Sequence, residues 1–238
     1  MNNKFNGTQK IAEIAVIFPK AMEIFKGYGI DFCCGGNRPL IEAINEKNIN
    51  ETEILNKLNE EFLKSEEVKL EEMDFRDAKY SHIIDFVVNT HHVYTSNVLT
   101  EIAPLTTKIL RAHGQHHGDE LTKVHKLFSD LKTELEGHLI KEEEIVFPLI
   151  KEYEENASQE TLKKALDKIR ELESEHEGAG NILKELRKLT NDYTVPGDGC
   201  NTYRYTYSKL IELEGDLFKH IHIENNIMFP RLAKELNV

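Results

Sequence analysis

The sequence predicts an all-α protein, an antiparallel four-helix bundle preceded by a small helical domain. Three observations predict it. Apolar residues recur at three- and four-residue steps through long segments, and strand-like alternation is scarce. Breaker-rich stretches of Gly, Pro and Asn separate those segments. Two phrases, GHLIKEEEIVFPLI at 137–150 and KHIHIENNIMFPRL at 219–232, nearly repeat one another 82 residues apart. Each gives a His, a Glu four residues on, an Ile three beyond, and then Phe-Pro.

The first domain is expected over 1–64. TQKIAEIAVIF reads as one short helix, Pro19 opens a second ending near GYG, and Pro39 starts a third through Ile44. Asn50 followed by Glu53 reads as an N-cap with its capping-box partner, opening a fourth through Phe62. Between the second and third lies DFCCGGN at 31–37, a loop with adjacent thiols and two glycines. The charged stretch KSEEVKLEEMD at 64–74 is expected to connect this domain to the bundle of 76–238.

In the bundle, the first helix runs from about Phe75 to Ile102 with Val88, His92, Leu99 and Ile102 on one face; His91 fits almost as well beside Ile84 and Val88. AHGQHHGD at 112–119 is too rich in Gly and His to continue a helix and is expected to be a joint. The second helix, about 119–154, carries the stripe Leu121, Val124, Phe128, Leu131, Leu135, His138, Glu142, Ile145, Leu149. After ENASQE, where Ser158 is the expected N-cap, a third helix gives Ile169, Leu172, His176, Ala179, Leu183, Leu186. NDYTVPGDGCN at 191–201 is the last long loop, and the fourth helix gives Thr206, Leu210, Leu213, Leu217, His220, Glu224, Ile227. Pro148 and Pro230 sit at matching places near helix ends. His92 to His138 spans 46 residues and His176 to His220 spans 44, so each pair occupies one helical hairpin and the hairpins look duplicated.

Composition excludes several functions. A hydrophobic fraction of 39% over 238 residues is enough for a real core. With 42 acidic against 30 basic residues the net charge is −12, which repels phosphate and argues against nucleic-acid or anionic-membrane partners. There is no run of 18 apolar residues and no signal-peptide pattern, so a cytoplasmic location is expected. Three cysteines, two of them adjacent, cannot build a secreted disulfide framework, which agrees with a reducing compartment.

The polar residues on the apolar stripes carry the functional argument. A buried carboxylate without a partner costs several kcal/mol. Residues four apart share a helix face, so each HxxxE pair aims both side chains at one point. Two metal ions would satisfy the set, with four His as terminal ligands and two Glu as bridges. Imidazole and carboxylate without thiolate suits iron or manganese and admits zinc, and a carboxylate-bridged pair inside a bundle points to di-iron chemistry. Glu143 and Glu144 point off the stripe and are expected on a solvated face. His113, His116, His117 and His125 lie in or beside a joint and are expected to be exposed. Adjacent Cys33 and Cys34 cannot close a normal disulfide without strain, and a reactive or metal-handling role is the functional reading beside that of small loop residues.

At GIDFCCGGNRPLIEAI, NTHHVY, GHLIKEEEIVFPLI, ESEHEGAG and HIHIENNIMFP the sequence resembles the Repair of Iron Centres family, the ScdA/YtfE-type di-iron proteins, over essentially the whole chain. The resemblance implies a small N-terminal helical domain, a hemerythrin-like bundle and two iron ions in an oxo- and carboxylate-bridged centre. It puts the metal ligands on His92, His138, Glu142, His176, His220 and Glu224, and the family's vicinal thiols on Cys33 and Cys34, expected to accept or pass on iron, sulfur or a nitrosyl group. The family's Arg-Glu after the first His is replaced here by TSNVLTE. The implied function is repair of iron–sulfur clusters damaged by nitrosative or oxidative stress, through iron donation or nitric oxide handling. Clients would be iron–sulfur proteins, small ligands would be nitric oxide or oxygen species, and a homodimer is an admissible assembly. The competing readings are a hemerythrin-like oxygen carrier or sensor, which generally has more His ligands than four, and a nitric oxide reductase.

Overall fold

The computed structural model describes residues 4–67 and 75–236; most of the expected connector at 64–74 lies outside the described residues. They are helical almost throughout, and the only strand-like feature among them is an isolated bridge between Lys10 and Pro39. Two compact units are present, Met1–Lys79 with Ile221–Val238, and Tyr80–His220.

In the first unit, short helices α1 (Ile11–Ile17), α2 (Ala21–Gly27) and α3 (Leu40–Glu46) precede the longer α4 (Glu51–Glu67). The start of α4 is the one the capping residues dictate, since the Asn50 side chain accepts from the Glu53 amide at 3.2 Å. The helix runs past Phe62, because KSEE continues with good helix formers. Ile11, Ile14, Phe18, Phe25, Leu40, Ile44, Ile54 and Leu58 form its buried core. Asn59 ties the N-terminal segment down by accepting from the Phe5 amide and donating to its carbonyl.

The bundle makes up the second unit, except that its last helix from Ile221 on is grouped with the first. After α5 (Tyr80–Phe86), a π-helical turn at Val87–His92 leads into α6 (Val93–Lys141). Here the expected joint at 112–119 is corrected: helix continues through it, broken only at His117, whose backbone leaves the helical region (φ −125°, ψ 23°). That one residue reverses the chain. Thr106 and His125 would be about 28 Å apart on a straight helix at 1.5 Å per residue, yet the Thr106 hydroxyl lies 3.0 Å from His125 Nδ1. A second π turn, Glu142–Val146, joins α6 to α7 (Phe147–Asn156). Next comes α8 (Gln159–Leu189), opened by Ser158 accepting from the Thr161 amide at 3.2 Å. The 191–200 connection then leads to α9 (Asn201–Ile223), which runs on through a third π turn, Glu224–Met228, into α10 (Phe229–Glu235). Phe128, Leu131 and Leu135 pack with Leu183, Leu186, Leu210, Leu213 and Leu217 in a continuous core. A largely buried ion pair crosses it, Arg187 binding both oxygens of Glu214.

The π turns correct the stripes. In both FP phrases the Phe amide bonds five residues back, Phe147 to the Glu142 carbonyl and Phe229 to that of Glu224. A proline at the next position lacks the donor for a regular i−4 bond and its ring would press on that carbonyl, so widening the turn ahead of it relieves both. The extra residue moves the buried face on by one. Ile145 is 45% exposed, and Val146, Phe147 and Ile150 are buried instead of Ile145 and Leu149; likewise Met228 replaces Ile227.

Candidate metal centre

The four imidazoles come from four helical segments. His92 ends the first π turn, His138 lies near the end of α6, His176 is in the middle of α8, and His220 is near the end of α9. All four are buried, as are Glu142 and Glu224, each the first residue of a π turn. Their ligand atoms form two groups, His92, Glu142, His220, Glu224 and His138, Glu142, His176, Glu224, with all atoms in a group within 4.8 Å of one another. The two carboxylates are common to both groups.

Distances resolve the arrangement further. His92 Nε2 and His220 Nε2 face each other at 3.2 Å, and His138 Nε2 and His176 Nε2 at 2.9 Å. Glu142 divides between the pairs: Oε1 lies 3.2 Å from His138 and 3.8 Å from His176, while Oε2 lies 3.3 Å from His92 and 3.9 Å from His220. Imidazole nitrogens converging in pairs on a carboxylate that gives one oxygen to each pair form a donor set suited to cations, one beside each imidazole pair. The residues fit an iron centre: buried, mixed imidazole and carboxylate, without thiolate among the grouped donors.

Two of the outer nitrogens are held as well. His138 Nδ1 is 2.9 Å from Glu175 Oε2, and Glu175 in turn binds Lys141. Burial works against ionisation of Glu175, but the bonds from Lys141 and His138 outweigh it and keep the carboxyl below its usual range. His92 Nδ1 is 2.8 Å from Glu143 Oε1. This corrects the expectation for Glu143: its carboxylate is 42% exposed, yet it reaches a ligand-bearing helix. The signal was present, because Glu143 adjoins the Glu of an HxxxE pair, but helical periodicity turns it about 100° off the stripe, and only the fold shows that its carboxylate still reaches the His92 ring on a neighbouring segment. Of the two adjacent histidines, His92 joins the cluster, while the also buried His91 stacks on His220 with ring centroids 5.6 Å apart and bonds Asp216 at 3.0 Å.

The thiols belong to the first unit. Cys33 and Cys34 are free, with sulfurs 3.8 Å apart, and both the amide and thiol of Cys33 donate to Asp31 Oδ1. The contact with Cys34 and burial push the Cys33 thiol well above its usual range. Gly36 is required here, since a Cβ would meet the Phe32 carbonyl oxygen at 2.4 Å, and its own carbonyl accepts from the Ala12 amide. Asn226 donates to the Cys33 and Phe32 carbonyls, and its Nδ2 lies 3.1 Å from His222 Nδ1; these two residues flank Glu224 two positions either side in the sequence. Burial pushes His222 down to about 4.

Of the four histidines expected to be exposed, His116 is exposed, whereas His113, His117 and His125 are half-buried. His113 is half-buried against Tyr203 and His117 pairs with Asp198 at 2.9 Å, because reversal at a single residue leaves the expected loop helical and packed.

Comparison with known proteins agrees with this geometry. Residues 83–232 match the Hemerythrin HHE cation binding domain, and residues 7–61 match ScdA_N, a domain of unknown function. A probable iron-sulfur cluster repair protein of Haemophilus influenzae is 36% identical over 227 residues, covering 95% of this chain and 97% of the relative. The chain belongs to the Repair of Iron Centres family. Iron-sulfur cluster repair proteins YtfE of Escherichia coli O81 and Escherichia fergusonii are each 34% identical, covering 94% of this chain and 96% of theirs. A hemerythrin-like cation-binding bundle is joined to a small helical N-terminal part. Among the described residues no helix is long and apolar enough to cross a membrane.

Proposed function

We propose that this protein repairs iron–sulfur clusters of client proteins, working from two iron ions held by His92, His138, Glu142, His176, His220 and Glu224. The observation that carries the reading is Glu142 offering one oxygen to each of two imidazole pairs. The names of relatives aligned over nearly their whole length supply the substrate class. When bound, the ions supply transferable ferrous iron and adjacent open positions for a small ligand such as nitric oxide. The chain does the rest. His92 and His220 would hold one ion and His138 and His176 the other, with Glu142 and Glu224 bridging. The apolar core around them keeps bulk water from the nitrogens. Cys33 and Cys34 would accept ferrous iron as thiolates, each releasing its proton as the iron binds, the buried thiol of Cys33 staying protonated until then. The thiol-bearing domain is taken as 1–64 and the bundle as 76–238, a division supported by the matches at 7–61 and 83–232, and a cytoplasmic location suits iron–sulfur clients.

Metal analysis with a client assay tests this. The parent purified anaerobically should carry two irons per chain and reactivate a nitrosylated iron–sulfur enzyme better than equal free ferrous iron. Glu142→Ala should lose both ions and His220→Ala one. A chain with no bound metal, or reactivation no better than free iron, refutes the proposal.

A further inference from the structure

Glu143 stands outside the six grouped donors, one residue beyond Glu142, and a helix of ordinary pitch would leave it facing solvent. Glu143 is indeed 42% exposed, yet its Oε1 sits 2.8 Å from His92 Nδ1, the nitrogen opposite the one that faces His220. An imidazole that donates its Nδ1 proton to a carboxylate is fixed in the tautomer whose Nε2 lone pair points the other way. The second copy of the phrase differs in sequence: HLIKEE becomes HIHIEN, and Asn225 stands where Glu143 stands in the first.

We infer that Glu143 is a positioning residue, a carboxylate prop that fixes the tautomer and ring angle of His92 and strengthens its hold on an ion. The inference rests on the dinuclear reading above and assigns a residue outside it. An exposed acid paired only for surface charge would contribute almost nothing to ion retention. A prop bonded to a ligand typically changes metal affinity by about 10- to 100-fold. Because the bond goes to one imidazole of one pair, the effect is confined to one of the two ions.

The test compares the parent with Glu143→Gln, Glu143→Ala and, as a control removing the same charge one residue away, Glu144→Gln. Each is loaded anaerobically with ferrous iron and its ions are withdrawn by a chelator, giving two release phases. A parallel series loaded with cobalt(II) reports ligand geometry from its visible bands. The expected order of release for one phase is parent, then Gln, then Ala, with Ala about 10- to 100-fold faster, the other phase unchanged and the cobalt bands of one ion shifted. Glu144→Gln should match the parent in both. Thermal melting and far-ultraviolet dichroism establish that each variant is folded, and the isosteric Gln variant decides should the Ala variant not be. Release from Glu143→Gln equal to the parent, or acceleration equally produced by Glu144→Gln, overturns the proposal while leaving the dinuclear centre standing. A parent that takes up fewer than two ions overturns both.

Discussion

Cys200 and Cys33 show how far local surroundings separate two thiols of one chain. Cys200 is exposed and directly precedes α9; the neighbouring His113 side chain, followed by the amide of Tyr203, lowers its thiol to about 7. Cys33 is buried beside Cys34 and shifted the other way. Iodoacetamide should therefore label Cys200 first, its rate rising through pH ~7 as the thiolate forms. His113→Ala should move that rise toward the ordinary thiol value near 8.5, as followed by mass spectrometry. Equal labelling of Cys33 and Cys200 at pH 7 would contradict the assignment. The Cys200 shift could not be read from the sequence, because His113 is 87 positions away, whereas the foremost cause at Cys33 is the adjacent Cys34 and only its burial depends on the fold.

The helices were legible wherever a local chemical signal sets a boundary. Ser158 and Asn50 cap the helices they were expected to cap. Ser158→Ala should cost about 1 kcal/mol, measurable as a shift in urea midpoint with unchanged slope; no change would mean that the cap bond contributes nothing net. The stripes on α8 and α9 were legible for the same reason, since 3.6-residue periodicity holds along each. It failed after Glu142 and Glu224, where the turns widen. A count of three and four carries no mark for one inserted residue, although the Phe-Pro that ends both phrases is its chemical cause. The single-residue reversal at His117 escaped for a different reason: Gly and His densities indicate weak helix propensity, and packing against Tyr203 overrides it.

At the scale of the whole molecule, the six-residue constellation was readable because a buried polar group on an apolar stripe is costly unless something answers it. The Arg187–Glu214 pair obeys the same rule without a metal. It joins α8 to α9, and Arg187 also bonds Asp192 and lies over the Tyr193 ring in the connection between them. Removing the guanidinium strands a buried carboxylate, so Arg187→Ala should lower stability by about 2–3 kcal/mol, less than for a fully buried pair because Arg187 remains partly solvated. Exchanging both residues for Met and Leu should recover most of that loss. Chemical denaturation of the three proteins checks it, and a double variant no better than the single one would reject the explanation. Each widened turn also acts as a one-residue phase shifter. Inserting one further residue after Ile145 would leave the rod unbroken yet rotate everything from Val146 to Asn156 by about 100°, swinging Phe147, Ile150 and Tyr153 toward solvent, whereas excising Ile145 would let the turn close to ordinary pitch with that face still in phase. An insertion that hydropathy scores as harmless would thus unseat the end of the second hairpin arm, and in a lineage of such proteins these two positions should tolerate the loss of one residue but resist the gain of another.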